Sequence, residues 1–157
     1  MGDIRRITYA TDFSPASLAA FAHALNLARV TGAELTILHV LPAVVWPFIE
    51  TGYVSQEIWD QLGAGVRAQA SREMDGLLRR AVDAGVRASA AIMETGVPAD
   101  EIVRAAEQAK TDLLVLGTHG RTGVARLVLG SVAARVVATA ACPVLTVRAA
   151  DTAGARS

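Results

Sequence analysis

Short apolar runs alternate along this chain with longer segments whose apolar residues recur every three or four positions. Two runs near the start, Ile4 to Ala10 and Leu35 to Val40, are too short for helices and read as buried strands. Between them Ser14-Pro15 supplies an N-cap followed by proline at the first helical position, and Leu18, Phe21, Ala22, Leu25 and Ala28 follow at helical spacing. Gly32 stands where a helix C-cap belongs.

The alternation continues with changing quality. Leu41 to Gln56, with Pro42, Trp46, Pro47, Phe48 and Tyr53, is a long apolar connection without a clean period. Two readings stand for it: a lid, in which Trp46 to Tyr53 closes over a ligand, or aromatic residues that cover one end of the sheet. Glu57 to Ala84 reads as a long helix interrupted or frayed at Gly63 and Gly65, with Ala70, Met74, Leu77, Leu78 and Ala81 as its inner face. Val86 to Met93 is a weaker strand, and Gly96, Pro98 and Asp100 turn the chain into a helix over Ala99 to Ala109. Leu113 to Leu116 is the strongest strand, and a last helix around Ser131 to Ala140 leads through Pro143 to the strand Val144 to Val147. This order predicts an α/β fold, an open five-stranded parallel sheet sandwiched by helices in the Rossmann-like manner. Residues 1–150 form one domain on this reading, with 151–157 as a small, polar, frayed tail.

Composition narrows the chemistry. Apolar residues make up 52% of the 157 and aromatic residues 4%, so the core is expected to be built from Ala, Val and Leu. Fifteen basic residues balance fifteen acidic ones, which gives no general attraction to nucleic acid or to an anionic membrane surface. Lys110 is the only lysine, leaving one candidate for a Schiff-base amine or a phosphate-loop lysine. The lone Cys142 has no His or Asp beside it and reads as a small buried hydrophobe rather than a nucleophile. With no internal disulfide possible, no signal-peptide pattern and no apolar run of membrane-spanning length, a soluble cytoplasmic protein is expected.

In open parallel sheets ligands bind beyond the carboxyl ends of the strands, where strand order reverses, which directs attention to the loops after Ala10, Val40 and Leu116. The last of these runs from Gly117 through Gly120, Arg121, Gly123 and Arg126 to Gly130 and Ser131, four glycines between a buried strand and a helix. Gly130-Ser131 sets unpaired N–H groups and a hydroxyl at a helix N-terminus, with Val132 and Ala133 aiming their amides the same way, which makes an anion cradle. The loop is not a Walker loop, since Ser131 and not lysine follows Gly130. Nor does a G-x-G-x-x-G fingerprint follow the first strand, where the chain reads Ala10-Thr11-Asp12-Phe13-Ser14.

The pattern G-x2-G-x9-G-S from Gly117 to Ser131, with Asp12 two residues beyond the first strand, resembles the nucleotide-binding branch of the universal stress protein family. The resemblance extends to A-T-D-F-S, the Gly96-x-Pro98 turn, D-L-L-V-L-G-T-H-G-R and C-P-V-L-T-V, and so covers nearly the whole chain. It implies an ATP site in which Ala10 and Thr11 border the adenine pocket and Asp12 lies near the ribose and a phosphate-bound Mg²⁺ or Mn²⁺. Val40 would meet adenine through its backbone, and Leu116 and Gly117 would flank the nucleoside. Gly120 and Arg121 would follow the phosphates, and Gly130, Ser131 and Val132 would form their cradle. It also implies a homodimer paired along the edge strand Val144 to Val147, an apolar edge with no inward charge to block it.

Each of these residues has a plainer role to set beside the implied one. Asp12 could cap the helix near Pro15 in competition with Ser14, and Ser131 could serve as an N-cap. His119 could touch phosphate or satisfy loop carbonyls, while His39 reads as a hydrogen-bonded core residue and His23 as a helix-face residue. Three scattered histidines and one cysteine do not make a zinc site. Without a cradle lysine or an evident general base, the chain reads as a module that holds ATP and reports nucleotide or stress state, with no hydrolysis or slow hydrolysis. A slow ATPase or self-phosphorylating enzyme, and an interaction protein with an empty pocket, are the competing readings.

Overall fold

A computed structural model describes residues 3–41, 55–93, 96–119 and 129–149. Its described elements alternate in the expected order: β1 (Arg6–Thr11), α1 (Pro15–Thr31), β2 (Glu34–Val40), α2 (Gln56–Asp83), β3 (Ala88–Met93), α3 (Pro98–Gln108), β4 (Leu113–Gly117), α4 (Ser131–Thr139) and β5 (Val144–Val147). The strands form one parallel sheet in the order β3-β2-β1-β4-β5. Order reverses at β1, whose Ala10 lies level with Leu38 of β2 on one side and Leu116 of β4 on the other. The connections after β1 and β4 therefore leave the same end of the sheet in opposite directions and open a crevice between them.

Alternation along the central strands feeds two cores. Ile7, Tyr9, Leu35, Ile37 and Val115 face α1 and α2, where they meet Phe21, Ala24, Met74 and Leu77. Ala10, Leu38, Leu114 and Leu116 face the other way, toward Ala99, Ile102 and Ala106 of α3 and Ala133 and Val136 of α4. Both faces of the sheet are thus covered, which is why β4 reads as an unbroken apolar run. No described helix is long and apolar enough to cross a membrane.

Two expectations change. α2 runs without a break through Gly63 and Gly65. Each glycine costs about 1 kcal/mol against alanine, but the Ser55 side chain accepts from the Ile58 amide at the N-terminus, and Ala70, Met74, Leu77 and Ala81 anchor the C-terminal half. On α1 the buried face consists of Ala16, Ser17, Ala20, Phe21, Ala24 and Ala28, whereas Leu18 and Ala22 face solvent. Small residues line that face because the start of α1 sits almost in contact with β4, and a helix so close to a sheet has no room for a row of leucines. The aromatic connection around Trp46 to Tyr53 lies outside the described residues, as does the tail at 151–157.

Candidate functional site

The turn from β1 into α1 is held by interlocking local bonds. The Ser14 side chain caps α1, accepting from the Ser17 amide at 3.3 Å, and Pro15 opens the helix. Asp12 is not that cap: its Oδ1 accepts from the Ser14 amide at 3.0 Å, bracing the turn before the helix. Thr11 Oγ1 accepts from the Phe13 amide at 3.0 Å and from Ser17 Oγ at 2.6 Å. Phe13 adopts φ 64°, rare for a bulky residue, and stacks its ring on His39 at 4.5 Å between centroids. His39 in turn lies 2.7 Å through Nδ1 from the Thr11 carbonyl, and because a carbonyl only accepts, Nδ1 carries the proton. The strained residue is therefore fixed from both sides.

Two residues behind this turn complete its support. Tyr9 donates its hydroxyl to the Ser17 carbonyl at 2.8 Å, and burial raises the phenol above its ordinary range. Its ring packs against Phe21, over which the Arg80 guanidinium lies at 4.8 Å.

The connection from β4 to α4 is pinned at both ends. Thr118 donates its amide to Val147 at 2.8 Å, and its carbonyl accepts from the Gly130 amide at 2.8 Å. Ser14 Oγ reaches across to the His119 carbonyl at 3.3 Å, tying this connection to the start of α1. His119 Nδ1 pairs with Thr118 Oγ1 at 2.9 Å, and its Nε2 is buried without a partner among the described residues.

These turns enclose a cavity of about 360 Å³ at the carboxyl ends of β1, β2 and β4. Nine of the residues singled out in the sequence line it together: Ala10, Thr11, Asp12, Val40, Leu116, Gly117, Gly130, Ser131 and Val132. Gly120 and Arg121 lie outside the described residues. One wall is apolar, built from Ala10, Leu38, Val40, Ile102 and Leu116, and suits a flat, weakly polar group. The opposite side is the N-terminus of α4, where the N-cap Gly130 has no side chain to cap the helix and the amides of Ser131, Val132 and Ala133 have no intrahelical acceptor.

The cradle differs in detail from the expected one. Gly130, and not Ser131, is the N-cap of α4, and its own amide is spent on Thr118. Its contribution is the missing side chain, since a Cβ there would lie 2.9 Å from the Thr118 carbonyl oxygen. Gly117 serves packing in the same way, toward α1. Ser131 is the first helical residue and is exposed.

His39 is both buried and part of the cavity wall, so the core reading covered only half of its position. Ser17, Leu38, Ile102 and Thr118 line the cavity without having been singled out, and Pro98, read only as part of a turn, lines it as well. The i, i+4 pair Pro98 and Ile102 was the available signal for α3, because one helix face carries both. Lys110 sits before β4, at the end of the sheet away from the cavity. Cys142 is half-buried beside α4 and β5, and burial raises its thiol, in keeping with a packing role. Among the described residues no cluster of three His, Cys, Asp or Glu side chains could hold a metal ion.

A parallel sheet of this order, with a glycine-bounded crevice at its switch point, defines a doubly wound α/β protein. Residues 3–148 match the Universal stress protein family, and the chain belongs to that family. It is similar to universal stress protein MJ0531 of Methanocaldococcus jannaschii, with 38% identity over 92% of this chain and 82% of that protein. Among solved structures, UspA of Lactobacillus plantarum superposes with a TM-score of 0.81 at 27% identity, covering 94% of this chain and all of that one. A universal stress protein solved in complex with cAMP superposes with a TM-score of 0.64 at 26% identity, covering 94% and 99%.

Proposed function

We propose that this protein binds ATP in the switch-point cavity and acts as a nucleotide-dependent stress or signalling module, with no hydrolysis or only slow hydrolysis. The observation that carries the reading is the pairing, in one cavity, of an apolar wall with a helix N-terminus whose first amides have no acceptor within the helix. A base fits against Ala10, Leu38, Val40 and Leu116, and phosphate oxygens fit the amides of Ser131, Val132 and Ala133 together with the positive end of the α4 dipole. The relative solved with cAMP supports an adenine nucleotide as the ligand class.

Asp12 stands at the cavity as one carboxylate, which suits Mg²⁺ or Mn²⁺ held mainly by the phosphates and completed by water. No lysine reaches the site to draw charge off a transferring phosphoryl group, and the described lining offers no carboxylate besides Asp12 to act as a base. The geometry therefore favours retention of the nucleotide over turnover.

Calorimetric titration of nucleotide-free protein with ATP, AMP and cAMP, with and without Mg²⁺, tests the reading. Saturable ATP binding with turnover far below about 1 per second is the expected result. Absence of binding by any of the three would leave an interaction protein with an empty pocket. Turnover at ordinary enzyme rates would make the chain an ATPase.

A further inference from the structure

His119 lines the cavity, yet its imidazole has no task in the binding of a nucleotide as described so far. Its Nε2 is the one buried side-chain nitrogen or oxygen without a hydrogen-bond partner among the described residues. Buried polar groups in native proteins are paired with few exceptions, and each exception calls for a functional reason or a partner from outside the chain. The rest of the residue is anchored. Its carbonyl accepts from Ser14 Oγ at 3.3 Å, and its Nδ1 lies 2.9 Å from Thr118 Oγ1. Thr118 is held in turn, by its amide to the Val147 carbonyl and by its carbonyl to the Gly130 amide, both at 2.8 Å. Among the described residues the His119 ring bonds no carbonyl, so satisfying loop carbonyls is not its role.

The bond from Gly130 sets His119 beside the N-terminus of α4, where a Cβ on Gly130 would stand 3.6 Å from the His119 Cα. An anion on the amides of Ser131, Val132 and Ala133 is therefore a near neighbour of this residue. Resting on the nucleotide reading of the cavity, we infer that His119 donates its Nε2–H to a phosphate oxygen and so adds a side chain to a cradle built from backbone amides. A phosphate oxygen only accepts, so Nε2 must carry the proton. The rotatable Thr118 hydroxyl provides for this by donating to Nδ1, which makes Thr118 a positioning residue that selects the tautomer. The contact discriminates by charge, because ATP brings it a phosphate oxygen and adenosine brings none.

Calorimetry with ATP and adenosine on the wild type and three variants tests this role. A glutamine side chain sets an amide nitrogen about where imidazole has Nε2, asparagine reaches only to the Nδ1 position, and phenylalanine keeps a ring without either nitrogen. His119→Gln should hold ATP nearly as the wild type does. His119→Asn and His119→Phe should each lose about tenfold or more in ATP affinity, the worth of a hydrogen bond to a charged group, with adenosine affinity unchanged. Nitrogen-15 spectra of histidine-labelled protein read the atom itself. The chain has three imidazoles, and ATP should shift Nε2 of His119, recognised by its absence in His119→Gln, while the exposed His23 stays unmoved. Equal ATP affinity for the wild type and His119→Phe overturns the inference, as does an Nε2 that ATP leaves in place. Equal losses for ATP and adenosine would make His119 a wall of the cavity and overturn it too. A wild type that binds neither ligand fails earlier, at the nucleotide reading itself, and takes this contact with it.

Discussion

At Gly117 there is room for a hydrogen atom only: a Cβ would come to 2.7 Å from the Ser17 amide nitrogen and 2.8 Å from the Ala16 carbonyl carbon. Both are backbone atoms of α1, so neither can swing aside, and Gly117→Ala must push the helix off the strand. A loss of about 2 kcal/mol in unfolding free energy is expected, the usual scale of overpacking, measurable as a lower denaturant midpoint with unchanged slope. Asp112 permits a second prediction of this kind. Its carboxylate accepts the Arg5 amide at 3.0 Å and the Arg6 amide at 2.8 Å, and these bonds, that of Arg5 foremost, hold it below the ordinary carboxylate range. A carboxyl whose folded-state value is depressed stabilises the fold above its unfolded value, and the benefit disappears as pH falls through the folded one. The stability advantage of the wild type over Asp112→Asn should therefore be present at neutral pH and shrink as pH drops below about 4, in urea titrations run across that range. At this scale the sequence was readable where residue type alone carries the role, as for the Ser14 cap and the Gly32 C-cap. It misled where a role depends on a distant contact: Gly117 reads as a loop glycine, and only the nearness of α1 makes it a packing residue.

Among the elements, α4 carries the anion-binding half of the site, and its first turn separates backbone from side-chain contributions. Gly130 has φ −57° and ψ 153°, an extended conformation that a following proline accepts, and Ser131 occupies the first helical position, where proline is favoured. Ser131→Pro removes one cradle amide and the hydroxyl while leaving the helix intact; Ser131→Ala removes the hydroxyl alone. If phosphate is held by the amides, Ser131→Pro should weaken ATP binding about tenfold or more, the worth of a hydrogen bond to a charged group, with no change in thermal stability. Ser131→Ala should fall between the two. Equal affinity for all three proteins by calorimetry would remove the Ser131 amide and hydroxyl from the site. The elements themselves were largely legible, because the period of apolar positions changes visibly between strand and helix and the strong strands are short. What periodicity could not reveal was rotation about a helix axis. Leu18 and Leu25 gave α1 an apolar stripe, but the sheet selects the small residues Ala16, Ala20 and Ala24, which admit closer approach. The α2 glycines likewise read as breaks because local propensity is blind to the anchoring that Met74 and Leu77 supply a few turns away.

For the molecule as a whole, the sheet order leaves β5 at one edge and β3 at the other, and the two edges differ in what they offer a partner. On β5, Pro143 and Val147 turn their carbonyls to β4, accepting from Leu114 and Thr118 at 3.0 and 2.8 Å. In a parallel ladder alternate residues bond to the same neighbour, so Leu145 also serves β4, whereas Val144 and Thr146 direct their backbone groups to the open side. An apolar strand with such an outward row is competent to pair with another strand, and the homodimer implied by family resemblance would use it. Thr146→Pro tests this with little cost to the monomer. It deletes an outward N–H, leaves the β4 ladder untouched, and places proline where edge strands tolerate it. Sedimentation at micromolar concentration should give the mass of two chains for the wild type and of one for Thr146→Pro, with far-ultraviolet circular dichroism unchanged. A wild type that sediments as a single chain would refute edge pairing. A Thr146→Pro variant that stays dimeric would move the interface off the β5 edge.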